Sequence, residues 1–198
     1  MRICNLLRAS GLAGALMITA AFTQRAEGSV IINISQVGLN VVITGSGTIN
    51  LTALNLLGSA GVTTVLIPSN GVIEAGPLTG SISEYGGAVG PTTFGPGNQT
   101  FPSSGSGNLF GIIASDVVVP QGYTSGTSLL GSSTFNNATL ASLGITPGTY
   151  VWTWGTGATA DSLTLNAGTP EPGSLSLMAA GLLLAGLRMR KRRQGQSE

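Results

Sequence analysis

Glu74, Glu84, Asp116 and Asp161 are the residues of the central chain whose side chains suit acid–base work. A carboxylate pair is the smallest set that hydrolyses a glycosidic bond without metal, imidazole or thiol, one acting as acid and the other as base or nucleophile. These four stand far apart in sequence, so only the fold can bring two of them side by side in a cleft. Otherwise, scattered acids on a domain are ordinary solubilising charges. The chain has no histidine, and its one cysteine, Cys4, lies near the start. Disulfides, zinc sites and Cys/His catalysis are therefore excluded from the central part. No Gly-x-Ser-x-Gly elbow occurs, and a serine nucleophile would lack its usual histidine or lysine base. The Gly-x-Gly pieces at Gly45, Gly105 and Gly155 lack the third glycine or the lysine of a phosphate-binding loop. No dense acidic run resembles a calcium loop. The expectation is no catalytic residue, no cofactor and no metal.

Tyr150, Trp152 and Trp154 alternate with Val151 and Thr153, which puts three aromatics on one face of a strand. Such a stripe either stacks on sugar rings, making a glycan-binding module, or fills a core. The second use is commoner, because aromatic rings bury large areas.

The elements that would position these groups are short and β-rich. VIINISQ, GLNVVITG, GTINLTAL, GVTTVLIP, NLFGIIAS, DVVVPQGY, SSTFNNATL, TYVWTWG and DSLTLNAG follow one another from Val30 to Gly168. Strands punctuated every 8 to 12 residues or so predict an all-β fold, an antiparallel sandwich-like domain. Gly45-Ser46-Gly47 reads as a hairpin connection, and Pro147-Gly148 as a type II turn. The breaker-rich stretch from Gly76 to Gly107 predicts long, mobile loops with short strands near Ile82 and Phe101. Glycine is abundant, at 31 of 198 residues. Leu, Ile, Val and Phe nevertheless exceed the roughly one-fifth share below which a chain cannot build a core. One turn-rich domain is expected.

All Lys and Arg residues lie at the ends: Arg2, Arg8, Arg25, Arg188, Arg190, Lys191, Arg192 and Arg193. A domain without basic residues cannot displace phosphate counterions, so nucleic acid is excluded as its partner. Arg2 and Arg8 precede an uncharged, mostly apolar run of 14 residues, Ala9 to Phe22, and then the polar patch TQRAEG. This is the order of a secretory signal peptide, expected over 1–26, and the run is short against the roughly 20 residues of a membrane span. General secretion machinery is the implied partner. Cys4 precedes the apolar run, the wrong position for a lipoprotein cysteine.

At the other end Pro170-Glu171-Pro172 leads into an apolar run, Ser174 to Leu187, and then a basic cluster, Arg188, Arg190, Lys191, Arg192 and Arg193. Two prolines hold the chain extended. The run would make a helix of about 21 Å, a marginal span of the inner membrane. The basic cluster acts as a stop on the cytoplasmic side by the positive-inside rule. This arrangement resembles the PEP-CTERM sorting signal of bacterial exosortase substrates over about the last 30 residues. Gly173 stands where that family commonly has serine, and a polar QGQSE tail follows the basic cluster. The stretch from Gly122 to Leu165 also resembles the domain found ahead of that signal in many such proteins, a domain with no assigned chemistry.

The resemblance implies a sorting motif at Pro170, Glu171 and Pro172, with a membrane-embedded exosortase-type enzyme as partner. It implies transient membrane anchoring, then residence at the cell surface or outside it, in a setting of exopolysaccharide. The expected organisation is a signal peptide over 1–26, a secreted β-rich domain over 27–168 and a sorting signal over 169–198. The expected function is a non-enzymatic structural or matrix-associated protein. The alternatives are a glycan-binding module on Tyr150, Trp152 and Trp154, and a surface glycoside hydrolase using two of the four acids.

Overall fold

The computed structural model describes residues 29–168. The signal peptide expected over 1–26 lies outside the described residues, as does the sorting segment expected over 169–198, with its motif 170–172, apolar helix 174–187 and basic stop 188–193.

The strands run in chain order as β1 (Ser29–Val37), β2 (Asn40–Gly47), β3 (Asn55–Thr63), β4 (Leu66–Ile67), β5 (Val72–Ala75), β6 (Thr79–Gly86), β7 (Ser104–Gly107), β8 (Phe110–Ile113), β9 (Asp116–Pro120), β10 (Leu129–Phe135), β11 (Gly148–Trp154) and β12 (Asp161–Ala167). They form two six-stranded sheets packed as a sandwich, ordered β11-β12-β1-β2-β10-β7 and β3-β6-β9-β8-β5-β4. Pairing is antiparallel except between β1 and β12, which run parallel with Ser29 opposite Ser162 and Ile34 opposite Ala167.

The alternation read from the sequence is what builds the core. In β1, Val30, Ile32 and Ile34 are buried while the residues between them face outward. Val41 and Ile43 of β2 and Leu163 and Leu165 of β12 join them. From the second sheet come Ile73, Ala75, Phe110, Ile112, Val117 and Val119. Each large aliphatic side chain so buried contributes about 1.5 to 3 kcal/mol. A smaller cluster, Ile82, Leu109 and Val118, sits on the outer face of the second sheet.

Several local expectations are corrected. Gly45-Ser46-Gly47 is not a turn: it is the last part of β2, paired with both β1 and β10. Glycine is needed at 45 because a Cβ there would lie 2.7 Å from Cζ of the Phe110 ring in the opposite sheet. The hairpin between β1 and β2 instead turns at Gly38-Leu39, where Gly38 has φ +60°. Gly148 does not take the left-handed conformation that a type II turn requires, and it enters β11 opposite Ala167.

GTINLTAL was expected as a strand, but residues 48–54 form a connection in which Ile49 and Leu54 are buried. GVTTVLIP divides between the end of β3, the two-residue β4 and a 3-10 turn starting at Pro68. In the breaker-rich stretch, the strand around Ile82 is eight residues long, and the short strand near Phe101 is β7, which begins at Ser104. The irregular chain that follows β6 is tied down by bonds rather than looped free. Val89 and Thr153 exchange two backbone hydrogen bonds of 2.9 Å, Phe94 donates to the Pro68 carbonyl at 3.0 Å, and Gly97 donates to the Gly144 carbonyl at 3.1 Å.

Candidate functional site

The four acids go to three separate places. Asp161 opens β12 at 6% exposure. Its Oδ2 accepts from the backbone N–H of Asn50, and its Oδ1 from that of Ser162, both at 2.6 Å. The residues around it hold the same connection, 48–54. Trp154 Nε1 donates to the Asn50 carbonyl at 2.9 Å, and Leu51 N–H donates to Ser125 Oγ at 2.9 Å. Ile49 N–H donates to the Tyr123 hydroxyl at 2.9 Å, which in turn donates to the Thr127 carbonyl at 2.7 Å. Burial raises the pKa of the Tyr123 phenol above its ordinary value and the Asp161 charge adds to this, while hydrogen bonds from the Ile49 and Gly126 backbone act the other way. This network is a clamp on a backbone segment, because buried amides need partners.

Glu74 sits in β5 with 1% of its surface exposed. It alternates with the core residues Ile73 and Ala75, so its side chain lies on the outer face of the second sheet, opposite Gly111 in register. Oε2 accepts from the Val65 N–H at 2.8 Å, and Oε1 is buried without a partner. Burial pushes the carboxyl up to about 7, against a smaller lowering from the Val65 hydrogen bond. The solubilising role expected of the scattered acids therefore fails for Glu74 and Asp161, both of which are buried. The apolar flanks of Glu74 in Val72-Ile73-Glu74-Ala75 were the available signal.

Glu84 and Asp116 do come together. Glu84 on β6 is opposite Val118 on β9, and Asp116 lies two residues from Val118 on the same outer face. Diagonal neighbours of this kind have Cα atoms roughly 7 to 8 Å apart. Both are partly exposed, and Glu84 borders a shallow depression of about 230 Å3 lined also by Leu57, Ala60, Val62, Ile82 and Ile113. That is below the roughly 300 Å3 at which ligand pockets begin, and the lining carries no aromatic ring for a sugar to stack on. A wider, open hollow of about 450 Å3 beside it is lined by Gly61, Val62, Thr63, Thr79, Gly80 and Ser81, none ionisable.

The aromatic stripe faces inward. Trp152 is 0% and Trp154 4% exposed, and their indole N–H groups donate to the carbonyls of Pro91 at 3.0 Å and Asn50 at 2.9 Å. Tyr150 is half-buried, tilted against Phe94 with ring centroids 5.9 Å apart, and its hydroxyl donates to the Thr146 carbonyl at 2.9 Å. With both indoles enclosed, Tyr150, Trp152 and Trp154 offer no open platform for glycan stacking.

Among the described residues no group of three or more His, Cys, Asp or Glu side chains is arranged to hold a metal ion. Among them also, no helix is long and apolar enough to cross a membrane. Comparison with protein-family models, with curated proteins and with solved structures finds no match.

Proposed function

We propose that this chain is an exported β-sandwich protein, processed by an exosortase-type sorting enzyme and serving a non-enzymatic structural role at the cell surface or in the surrounding matrix. The observation that carries the reading is the order of the C-terminal segments: Pro170-Glu171-Pro172, the apolar run 174–187 and the basic cluster Arg188, Arg190, Lys191, Arg192 and Arg193. The last described strand, β12, ends at Ala167, and Gly168 N–H donates to the Ile34 carbonyl at 2.9 Å just ahead of that segment.

The parallel pairing of β1 and β12 fits such a precursor. Ser29 and Ala167 fall at opposite ends of the first sheet, about 17 Å apart at 3.3 Å per residue. A signal peptide would thus be removed at one pole, and the domain would be released from an anchor at the other. A non-enzymatic role accords with the clamp around Asp161, the enclosed tryptophans and the shallow surface beside Glu84.

The test is the intact mass of the protein recovered from medium, surface and membrane fractions of its host, with and without the sorting enzyme. Loss of both ends, with cleavage near Pro170 dependent on that enzyme, is the expected result. A full-length C-terminus retained in the membrane of both strains would replace this reading with a permanent tail anchor.

A further inference from the structure

The two sheets have four edges, and three of them are blunted. β4 is two residues long, and Leu66 and Thr100 exchange two backbone hydrogen bonds of 2.9 Å across its open side. β11 is bridged by Val89 through Thr153. β7 has only four residues. β3 is different: it has nine residues, and every one from Asn55 to Gly61 is exposed. Among the described residues, its backbone hydrogen bonds go to β6 alone, leaving the groups on its other side unpaired. Neither a charge nor a proline interrupts NLLGSAGVT, and the register irregularity between Leu56 and Gly58 leaves Gly58–Thr63 regularly paired. Natural sheets protect long edges with lysine, proline, bulges or covering loops. Here only the bulge is present, and it sits at one end.

We infer that β3 is a homotypic docking edge, at which a second copy of this chain adds its own β3 in antiparallel register about a two-fold axis. Unpaired N–H and C=O groups on a strand edge are satisfied geometrically by another strand. The side chains argue for an identical one. β3 carries no charge with which to select a foreign peptide, and two copies bring no like charges onto the paired strands themselves. Leu56 and Leu57, at 60% and 59% exposure, supply apolar area that the pairing would cover.

Two limits follow from the topology. A standard interface uses about 20 to 30 residues a side, so a nine-residue edge gives a weak, concentration-dependent complex. Pairing β3 to β3 joins two six-stranded sheets into one whose outer strands are both β4, already capped by Thr100. Growth therefore stops at the dimer, as expected of a closed isologous contact. This inference stands on the sheet topology and is independent of the export reading.

Sedimentation of the full chain in mild detergent, across a hundredfold range of concentration, tests it. The expected mass doubles with concentration for the unaltered chain and stays monomeric for Gly61→Lys. A Cβ at Gly61 meets no atom within 4 Å and the residue is not in the left-handed region, so the sandwich has room for that side chain. Val151→Lys, on an exposed position of the blunted β11 edge, should dimerise like the unaltered chain. Amide exchange in the unaltered chain gives a second readout, with residues 56–62 slowing as concentration rises. A monomer at every concentration, a dimer indifferent to Gly61→Lys, or open-ended polymer would each overturn the inference. Association driven by the apolar ends would show itself as the second of these.

Discussion

Glu74 makes the stability of this domain depend on pH in a direction opposite to that of most acids. Its carboxyl titrates near 4.5 when solvated and at about 7 in the fold, because burial at 1% exposure penalises the charge and Oε1 has no partner to compensate. Between those two values the folded state holds a proton that the unfolded chain has released, so stability falls as pH rises through the window. Below about 4.5 both states are protonated, and above about 7 both are ionised, so the contribution is flat on either side. Each tenfold separation in acidity is about 1.4 kcal/mol, which makes the total on the order of 3 kcal/mol. Glu74→Gln keeps an acceptor for the Val65 N–H and cannot ionise. Any cost of burying its amide is an offset that is constant with pH. Urea unfolding followed by the fluorescence of Trp152 and Trp154, both buried, measures the difference between the two proteins from pH 4.5 to pH 8. The variant should gain about 3 kcal/mol on the unaltered protein across that interval. Curves that stay parallel would show that Glu74 is hydrated or paired in solution, and the reasoning from its burial would fail.

Gly45→Ala should cost about 1 to 3 kcal/mol by driving a methyl group into the Phe110 ring, and Phe110→Leu in the same chain should recover part of that loss; strictly additive unfolding energies would refute the contact. Asp161→Ala removes the acceptor of the Asn50 and Ser162 amides and should cost on the order of 3 kcal/mol, with faster hydrogen exchange at Asn50 and Leu51 than in the rest of the core. Uniform exchange across the sandwich would show that the clamp on residues 48–54 is not a local device.

Legibility in the sequence followed one physical rule: a strand announces itself when one of its faces is buried. β1, β2, β11 and β12 alternate for that reason, and all were visible. Only the end of β3, within GVTTVLIP, was visible, because β3 is exposed on both faces and has no alternation to read. The connection at 48–54 imitated a strand because Ile49 and Leu54 are buried by tertiary packing rather than by a pleat. For the candidate site, the aromatic stripe was correctly placed on one face, but which side of the sheet that face meets is not a local property.

By itself the sequence determined the all-β class, the absence of histidine and of any basic residue from the central chain, and the segregation of cationic charge to the ends, since composition and short-range periodicity contain these directly. Only the tertiary structure decided that Gly45 yields space to a ring from the other sheet, that β1 lies parallel to β12, that Glu84 and Asp116 share a face while Glu74 is enclosed, and that β3 keeps an open edge. Each of these depends on which distant strand lies alongside, and pairing between residues far apart in the chain leaves no trace in their local pattern.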